Sequence, residues 1–264
     1  MPPATHRPWP LPGRPWVMAQ RWERLLFMHW PLPECTLRPL VPAGLTLQTF
    51  GGQAWLGVTP FTVSVLRPRA AWIPGLAPFP EVNVRTYVTV DEKPGVFFFS
   101  LDAGSVLAVA GARALYSLPY FRARFSVSRD RSGVAYHARR THRGAPPADL
   151  SASYRPAGPA APSIPGTLAH WLTERYCLYA VTRRGRLRRA EIHHPPWPLQ
   201  PAEVDIRVNT MTSGLGFHLP APAPLVHFSE RLDVQVWLPE RVGASPGLRP
   251  LPAEGERPPA EREP

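Results

Sequence analysis

The sequence has little cysteine, a single lysine and no long hydrophobic run. Its 264 residues contain only Cys35 and Cys177, and these two do not form a CxxC motif. We therefore expect two reduced, buried thiols, and neither a disulfide framework nor a cysteine zinc site. No apolar run approaches the roughly 20 residues that span a bilayer, and the proline-rich first residues do not resemble a signal peptide. These absences predict a cytoplasmic protein that does not insert into a membrane.

The composition predicts a β-rich globular protein. Hydrophobic residues make up 44% of the chain and nine residues are tryptophan, which is more apolar material than a disordered chain carries. The 37 prolines argue against long helices, because proline lacks the backbone N–H that a helix interior needs. A chain of this length can form one large β domain.

The net charge of +11 raises the question of nucleic-acid binding. Arginine supplies every basic side chain except Lys93, and proline, alanine and glycine are abundant, so part of this charge reflects a G+C-rich coding sequence. The densest basic run, residues 182–189, fits the solvated tip of a hairpin. No aromatic residues alternate with its arginines as they do in single-strand binders, so a nucleic-acid partner is not expected.

Along the chain, we predict one folded domain between two segments of different composition. Residues 1–15 form a proline-rich leader, residues 16–239 a single domain, and residues 240–264 a disordered tail without aromatic side chains. Within the domain, apolar residues near helical spacing predict a helix over residues 16–28. Two strand-like runs around Gly51–Gly52 predict a hairpin.

The strand over residues 81–91 alternates between an apolar and a polar face. Successive side chains point to opposite faces of a strand, so one face carries only valine and threonine. The other face carries Glu81, Asn83, Arg85, Tyr87 and Thr89. This face either meets solvent, as in most antiparallel sheets, or lines a cavity inside a closed sheet. In a cavity, Glu81 and Arg85 could pair with each other or hold a polar ligand.

Other polar residues give weaker signals. Glu174 and Arg175 are adjacent, so on a strand they would face opposite ways. They form a structural ion pair, end a helix, or place one of the two side chains in a pocket. His193 and His194 would also point apart, and no HExxH or H-x-H motif is present, so no metal site is expected.

A series of ordered motifs between positions 21 and 238 resembles a known family. The motifs include HWP, GGQAWLGVTPF, FPEVNVRTYV, PGVFFFSLDA, LTERY, HHPPWPL and HFSERLDVQVW. In this order they resemble the YqjF-like family of uncharacterised bacterial proteins, which is similar to the acetoacetate decarboxylase superfamily. The resemblance implies a mainly β, α+β fold: a mostly antiparallel, β-barrel-like sheet with a few flanking helices and a pocket in the barrel. It therefore favours the cavity interpretation of the polar face.

The resemblance does not extend to the chemistry of acetoacetate decarboxylase. That enzyme uses a lysine pair after a proline, and one lysine forms a Schiff base with the substrate ketone. At the matching place this chain has Pro119, Tyr120 and Phe121. The single lysine, Lys93, falls in a polar turn, where a protonated amine is a poor nucleophile. The resemblance thus carries over the fold and an acidic Glu81 beside the pocket, but not amine-catalysed decarboxylation.

Two functions remain open. In the first, the chain is a binding protein or lyase-like enzyme whose barrel pocket binds a small, carboxylate-bearing molecule: Arg85 holds the carboxylate, Glu81 acts as acid or base, and Tyr120 donates a hydrogen bond. In the second, it is a non-catalytic scaffold or protein-interaction module, with the pocket filled by Tyr120 and Phe121. The expected ligand-binding residues are Glu81, Asn83, Arg85, Tyr87, Tyr120 and Glu174. No cofactor is expected.

Overall fold

The computed structural model describes residues 4–68, 77–131, 133–219 and 224–243, which are mainly β. The strands are β1 Met18–Leu32, β2 Thr46–Leu47, β3 Thr49–Phe50, β4 Gln53–Pro68, β5 Phe79–Val90, β6 Lys93–Ala103, β7 Tyr120–Asp130, β8 Gly133–Arg140, β9 Asp149–Pro156, β10 Ala161–Pro162, β11 Cys177–Val181, β12 Leu187–His193, β13 Pro198–Asn209, β14 Leu225–Val236 and β15 Glu240–Arg241. The helices are α1 Glu34–Leu37, α2 Val106–Tyr116 and α3 Leu168–Thr173, with 3-10 turns at Arg38–Leu40 and Ser213–Leu215.

Strand β1 stands where the apolar spacing predicts a helix over residues 16–28, so that prediction is wrong. The cause is a bulge at Arg24, whose backbone is left-handed (φ 53°) and which interrupts the pairing with β4. An extra residue turns the side chains that follow to the other face of the strand. The residues of β1 that line the internal cavity are Met18, Gln20, Trp22 and Leu25. Met18, Trp22 and Leu25 are spaced by four and then three residues, as on one face of a helix.

Two tight hairpins join strands of the sheet, and the one at Gly51–Gly52 forms as predicted. Gly51–Gly52 join β3 to β4 with φ angles of 60° and 75°, a conformation that glycine adopts without strain. Asp91–Glu92 join β5 to β6 with φ angles of 48° and 59°. Two central residues with positive φ match the twist of paired strands. The second hairpin holds together the two strands that carry most of the site.

The strand pairings form a closed path. From β5 it runs through β6, β11, β12, β14, β1 and β4 and returns to β5. A second branch leaves β6 through β7, β8, β9 and β13 and rejoins β14. The expectation of an antiparallel sheet is partly right: most strand pairs are antiparallel, but the sheet is mixed because β6 runs parallel to both β7 and β11. Parallel neighbours need a long connection, and α2 provides it between β6 and β7.

Strand β5 is buried on both faces, which decides how its polar face is used. The valines at its centre lie in one apolar cluster with almost no exposed area. On the opposite face, the exposed fractions of Glu81, Asn83 and Arg85 are 4%, 4% and 9%. The polar face of β5 therefore does not meet bulk solvent.

The segments outside the predicted domain contact it. Arg7 is buried and Trp9 half-buried, and both donate hydrogen bonds to the carboxylate of Glu191 in β12. At the other end, Glu240–Arg241 pair with β12 as strand β15. The rest of the predicted tail, residues 244–264, lies outside the described residues.

Both cysteines are free. Cys177 is buried as expected, but Cys35 is exposed, because the four-residue helix α1 buries only Leu37. The arginine-rich run joins β11 to β12, and Arg183 and Arg184 at its tip are exposed. Within the described residues, no helix is long and apolar enough to cross a membrane.

Candidate functional site

A cavity of about 290 Å³ is lined by residues from all seven strands of the closed path and from α2. Most of its wall is apolar, with Leu25, Phe61, Phe98, Leu101 and Leu115 among the lining residues. Ser105 caps α2 by accepting a hydrogen bond from the backbone N–H of Ala108 at 3.2 Å, which fixes where this wall begins. The polar groups of the cavity are few and concentrate on β5 and its neighbours.

Three of these groups form a row along β5. Glu81, Asn83 and Arg85 all line the cavity, as the alternation of the strand predicts. A strand rises about 3.3 Å per residue, so the Cα atoms of Glu81 and Arg85 are about 13 Å apart. Their side chains form no ion pair in the described part of the chain, which removes the option that they neutralise each other. The row therefore has an acidic end and a basic end.

At the acidic end, Glu81 is bound to Tyr120. The Tyr120 hydroxyl donates a hydrogen bond to Oε2 of Glu81 at 2.8 Å. Burial raises the pKa of Glu81 to about 8, the hydrogen bond from Tyr120 opposes this rise, and the nearby charge of Asp102 adds to it. Arg140 is not available to neutralise Glu81, because its Nε and Nη2 bind both oxygens of Asp102 at 2.7 Å. Glu81 is thus mostly a neutral acid at pH 7.

At the basic end, two arginines share the wall without a carboxylate partner among the described residues. Arg85 lies against the ring of Phe27, 5.2 Å from its centre, and its Nε has no hydrogen-bond partner. Arg175 donates from Nη1 to Gln48 and from Nε to the carbonyl of Trp171, both at 2.6 Å, while its Nη2 has no partner. Burial lowers the pKa of Arg175 to about 10, and the positive charge of Arg85 contributes to that shift. An anion at this end would satisfy the unused donors of both buried cations.

Two of the six predicted ligand-binding residues do not line the cavity. The ring of Tyr87 lies beneath both guanidinium groups, 5.9 Å from Arg85 and 5.0 Å from Arg175, and its hydroxyl is hydrogen-bonded to His29 at 2.6 Å. Glu174 accepts hydrogen bonds from the backbone N–H of Trp197 at 2.9 Å and from the hydroxyl of Tyr176. Tyr87 supports the basic end, whereas Glu174 orders the chain after α3.

Arg175 is a charged residue that lines the cavity but was not in the predicted site. It directly follows Glu174, which ends α3, and it points into the cavity while Glu174 points away. The opposite directions were predicted for a strand, whereas the pair ends a helix, which was another of the alternatives left open. Which of the two faces the cavity depends on how α3 packs, and the local sequence does not show that.

The positions that the resemblance links to the Schiff-base lysines carry no lysine in this chain. Tyr120 lines the cavity, while Phe121 lies outside it against the guanidinium of Arg140, 4.2 Å from the ring centre. Lys93 is not a lining residue; its Nζ lies 4.0 Å from Glu191 and 5.6 Å from the ring of Trp9. An aromatic hydroxyl therefore occupies the wall where the resemblance places an amine.

The buried histidines are neutral near pH 7. Burial lowers the pKa of His29 far below its usual range and that of His193 to about 4. His193 stacks on His6 at 5.6 Å, while His194 lines the cavity, so the two neighbours point apart as predicted. In residues 4–68, 77–131, 133–219 and 224–243, no group of three or more His, Cys, Asp or Glu side chains is placed to hold a metal.

The fold belongs to a known structural class. The acetoacetate decarboxylase of Legionella pneumophila superposes with a TM-score of 0.55 at 14% identity, covering 90% of this chain and 93% of that one. An acetoacetate decarboxylase-like enzyme of Sphingomonas wittichii RW1 gives 0.56 at 14% identity, covering 92% and 99%. The enduracididine biosynthesis enzyme MppR in complex with pyruvate gives 0.61 at 10% identity, covering 87% and 91%. At such identities the likeness establishes the fold alone: the chain has an acetoacetate decarboxylase-like fold.

Sequence similarity then identifies the family. Residues 19–233 match the DUF2071 family, described as an uncharacterised conserved protein. The uncharacterised protein YqjF of Bacillus subtilis (strain 168) is 44% identical over 228 residues, which cover 86% of this chain and 93% of that protein. The chain belongs to the DUF2071 family, and the expected resemblance to YqjF is confirmed.

Proposed function

We propose that this protein binds a small, carboxylate-bearing molecule inside a barrel formed by the closed path of strands. The observation that carries the proposal is Arg85, a buried cation that lines the cavity without an ion-pair partner among the described residues. Burying a charge without a partner is costly, so a fold that keeps one there gains when an anion enters. Arg175 adds a second guanidinium at the same end.

Schiff-base chemistry is not part of the proposed function. The resemblance puts Tyr120 at the lysine position, and Lys93 lies 4.0 Å from Glu191 and does not line the cavity. Any reaction in this cavity would instead use the proton on Glu81, which at pH 7 lies beside the Tyr120 hydroxyl and can be given to a bound ligand. The cavity thus has a holding end and a proton-bearing end.

The alternative of a scaffold with a filled pocket has less support. It requires Tyr120 and Phe121 to occupy the space, yet Phe121 lies against Arg140 and a volume of about 290 Å³ remains. Pockets that hold small ligands begin at about this size.

Native mass spectrometry tests the proposal. The purified chain is incubated with a panel of small carboxylic acids, and Arg85→Met is measured beside it. We expect a noncovalent adduct on the wild type that Arg85→Met lacks, and no covalent mass increase when borohydride is added with a β-keto acid. Equal adducts on both proteins, or none on the wild type, would contradict the binding proposal. A borohydride-trapped adduct would contradict the exclusion of Schiff-base chemistry.

A further inference from the structure

The two ends of the cavity differ in the charge that they can accept. Of the residues described as lining it, Arg85 and Arg175 are the only arginines or lysines, and both lie at the basic end. Their guanidinium carbons lie 5.9 Å and 5.0 Å from the centre of the same Tyr87 ring, which places the unused N–H groups of both at one end of the cavity. This end is built for a single carboxylate.

The far end accepts an oxygen but not a second charge. The buried side chain of Arg140 is engaged by two hydrogen bonds to Asp102 at 2.7 Å and does not line the cavity. A ligand carboxylate beside Glu81 would therefore lose its water without gaining a cation, and it would feel the charge of Asp102. Glu81 and Tyr120 can still exchange hydrogen bonds with an uncharged oxygen, because a protonated carboxyl both donates and accepts.

The wall between the two ends is mostly apolar. Leu25, Phe61, Phe98 and Leu101 line it, and the polar side chains between Glu81 and Arg85 are small and neutral. Among them, Oδ1 of Asn83 and Oγ1 of Thr59 have no hydrogen-bond partner within the described residues. The body of a matching ligand is therefore a short carbon chain rather than a charged or strongly polar group.

We propose that the cavity selects a monocarboxylic acid with an apolar body and an uncharged hydroxyl or carbonyl oxygen at the end remote from the carboxylate. The carboxylate binds Arg85 and Arg175, and the remote oxygen binds Glu81 and Tyr120. This inference rests on the proposed function and adds the polarity of the ligand to it.

Three acids with the same six-carbon chain separate the contributions by isothermal titration calorimetry at pH 7. Hexanoate has no remote oxygen, ω-hydroxyhexanoate has an uncharged one, and adipate has a second carboxylate. We expect ω-hydroxyhexanoate to bind roughly threefold to tenfold more tightly than hexanoate, as one added hydrogen bond allows. Adipate should bind roughly tenfold more weakly than ω-hydroxyhexanoate, because its second charge is desolvated without a partner.

Tyr120→Phe is the matched variant, since it removes one hydroxyl and keeps the ring that lines the wall. It should reduce the ratio of the affinities for ω-hydroxyhexanoate and hexanoate without abolishing it, because Glu81 remains as the second partner of the remote oxygen; a merely structural role of Tyr120 would weaken the binding of both acids alike. Adipate binding as tightly as ω-hydroxyhexanoate, or an unchanged preference in Tyr120→Phe, would overturn this inference while carboxylate binding stands. Failure of all three acids to bind the wild type would overturn both proposals.

Discussion

Glu81 shows how a single buried residue sets the chemistry of the cavity. Its carboxyl is held by Tyr120, is not paired with a cation, and lies where burial keeps it protonated at pH 7. An acid whose pKa is raised in the folded state stabilises the fold only in its protonated form. That contribution is complete below the unfolded pKa and is lost as the pH rises through the folded pKa.

Glu81→Gln should therefore gain stability relative to the wild type as the pH rises from about 4.5 to about 8. Glutamine cannot ionise and still accepts the Tyr120 hydrogen bond, so the difference should grow by up to about 1.4 kcal/mol per pH unit. Urea unfolding at both ends of this range measures it. Glu203→Gln removes an exposed carboxyl paired with Arg155 and is the control without such a trend. A constant offset for Glu81→Gln would mean that Glu81 titrates like an exposed acid.

The residues of the site were predictable to the extent that local geometry determines them. Strand alternation placed Glu81, Asn83 and Arg85 on one face, and all three line the cavity. Local geometry could not identify the partners of these residues, because each partner comes from a distant part of the chain. The family resemblance placed Tyr120 in the site with Glu81, whereas Arg175 beside Arg85 was not in the predicted site. The separation of about 13 Å along β5 also explains why the two ends remain unpaired.

Among the elements, β1 illustrates a limit of periodicity. The bulge at Arg24 changes the inward face within one strand, so a pattern that reads as helical belongs to an extended segment. The hydroxyl of Tyr154 donates a hydrogen bond to the Arg24 carbonyl at 2.9 Å, which holds the bulge from β9, a strand that does not pair with β1. Such a contact cannot be read from the residues of β1 themselves.

The parallel pairing of β6 with β11 depends on close approach at Gly95. A Cβ atom at this position would lie 2.7 Å from both the carbonyl oxygen and the sulfur of Cys177. Gly95→Ala should therefore destabilise the fold by about 1–3 kcal/mol, because backbone must move to admit the methyl group. Gly13→Ala, where a Cβ meets nothing within 4 Å, is the control and should change stability by under about 0.5 kcal/mol. Equal effects in thermal unfolding would show that the strands tolerate separation.

The N-terminal segment provides a second test at this scale. Arg7 forms a buried ion pair with Glu191 at 2.9 Å, and Arg14 forms an exposed one with Glu240 at 3.4 Å. Arg7→Met should lower the free energy of unfolding by about 2–4 kcal/mol. This loss is somewhat smaller than that for a fully broken buried pair, because Arg189 still contacts Glu191 at 3.2 Å. Arg14→Met should cost under about 1 kcal/mol. Similar losses in chemical unfolding would mean that Arg7 does not act as a buried cation.

For the whole molecule, the ordered motifs predicted the family and the fold. They did not show which neighbouring strands run parallel. The α2 segment lies between β6 and β7, and a helical crossover of this kind joins parallel neighbours. The parallel pair of β6 and β11 has no such local marker, because residues 104–176 separate the two strands.

The predicted tail offers a test of where the stable unit ends. Deleting residues 244–264 should change the free energy of unfolding by under about 0.5 kcal/mol, because this segment has no aromatic residue and little apolar area to bury. Extending the deletion to Trp237 should be strongly destabilising, since this residue is 2% exposed and its Nε1 donates to the carbonyl of Arg14 at 2.7 Å. A large loss of stability from the shorter deletion would show that the segment packs against the domain.

The central claim is that the unpaired charge of Arg85 holds a ligand carboxylate, and thermal unfolding with and without small monocarboxylates tests it most directly. The thermal midpoints of the wild type and Glu81→Gln should rise, by the equivalent of about 2.7 kcal/mol at a ligand concentration near 100 times Kd. Arg85→Met should be at least as stable as the wild type without ligand, because a buried unpaired cation is removed, and its midpoint should not respond to the acids. An equal rise in Arg85→Met, or no rise in the wild type, would contradict the claim.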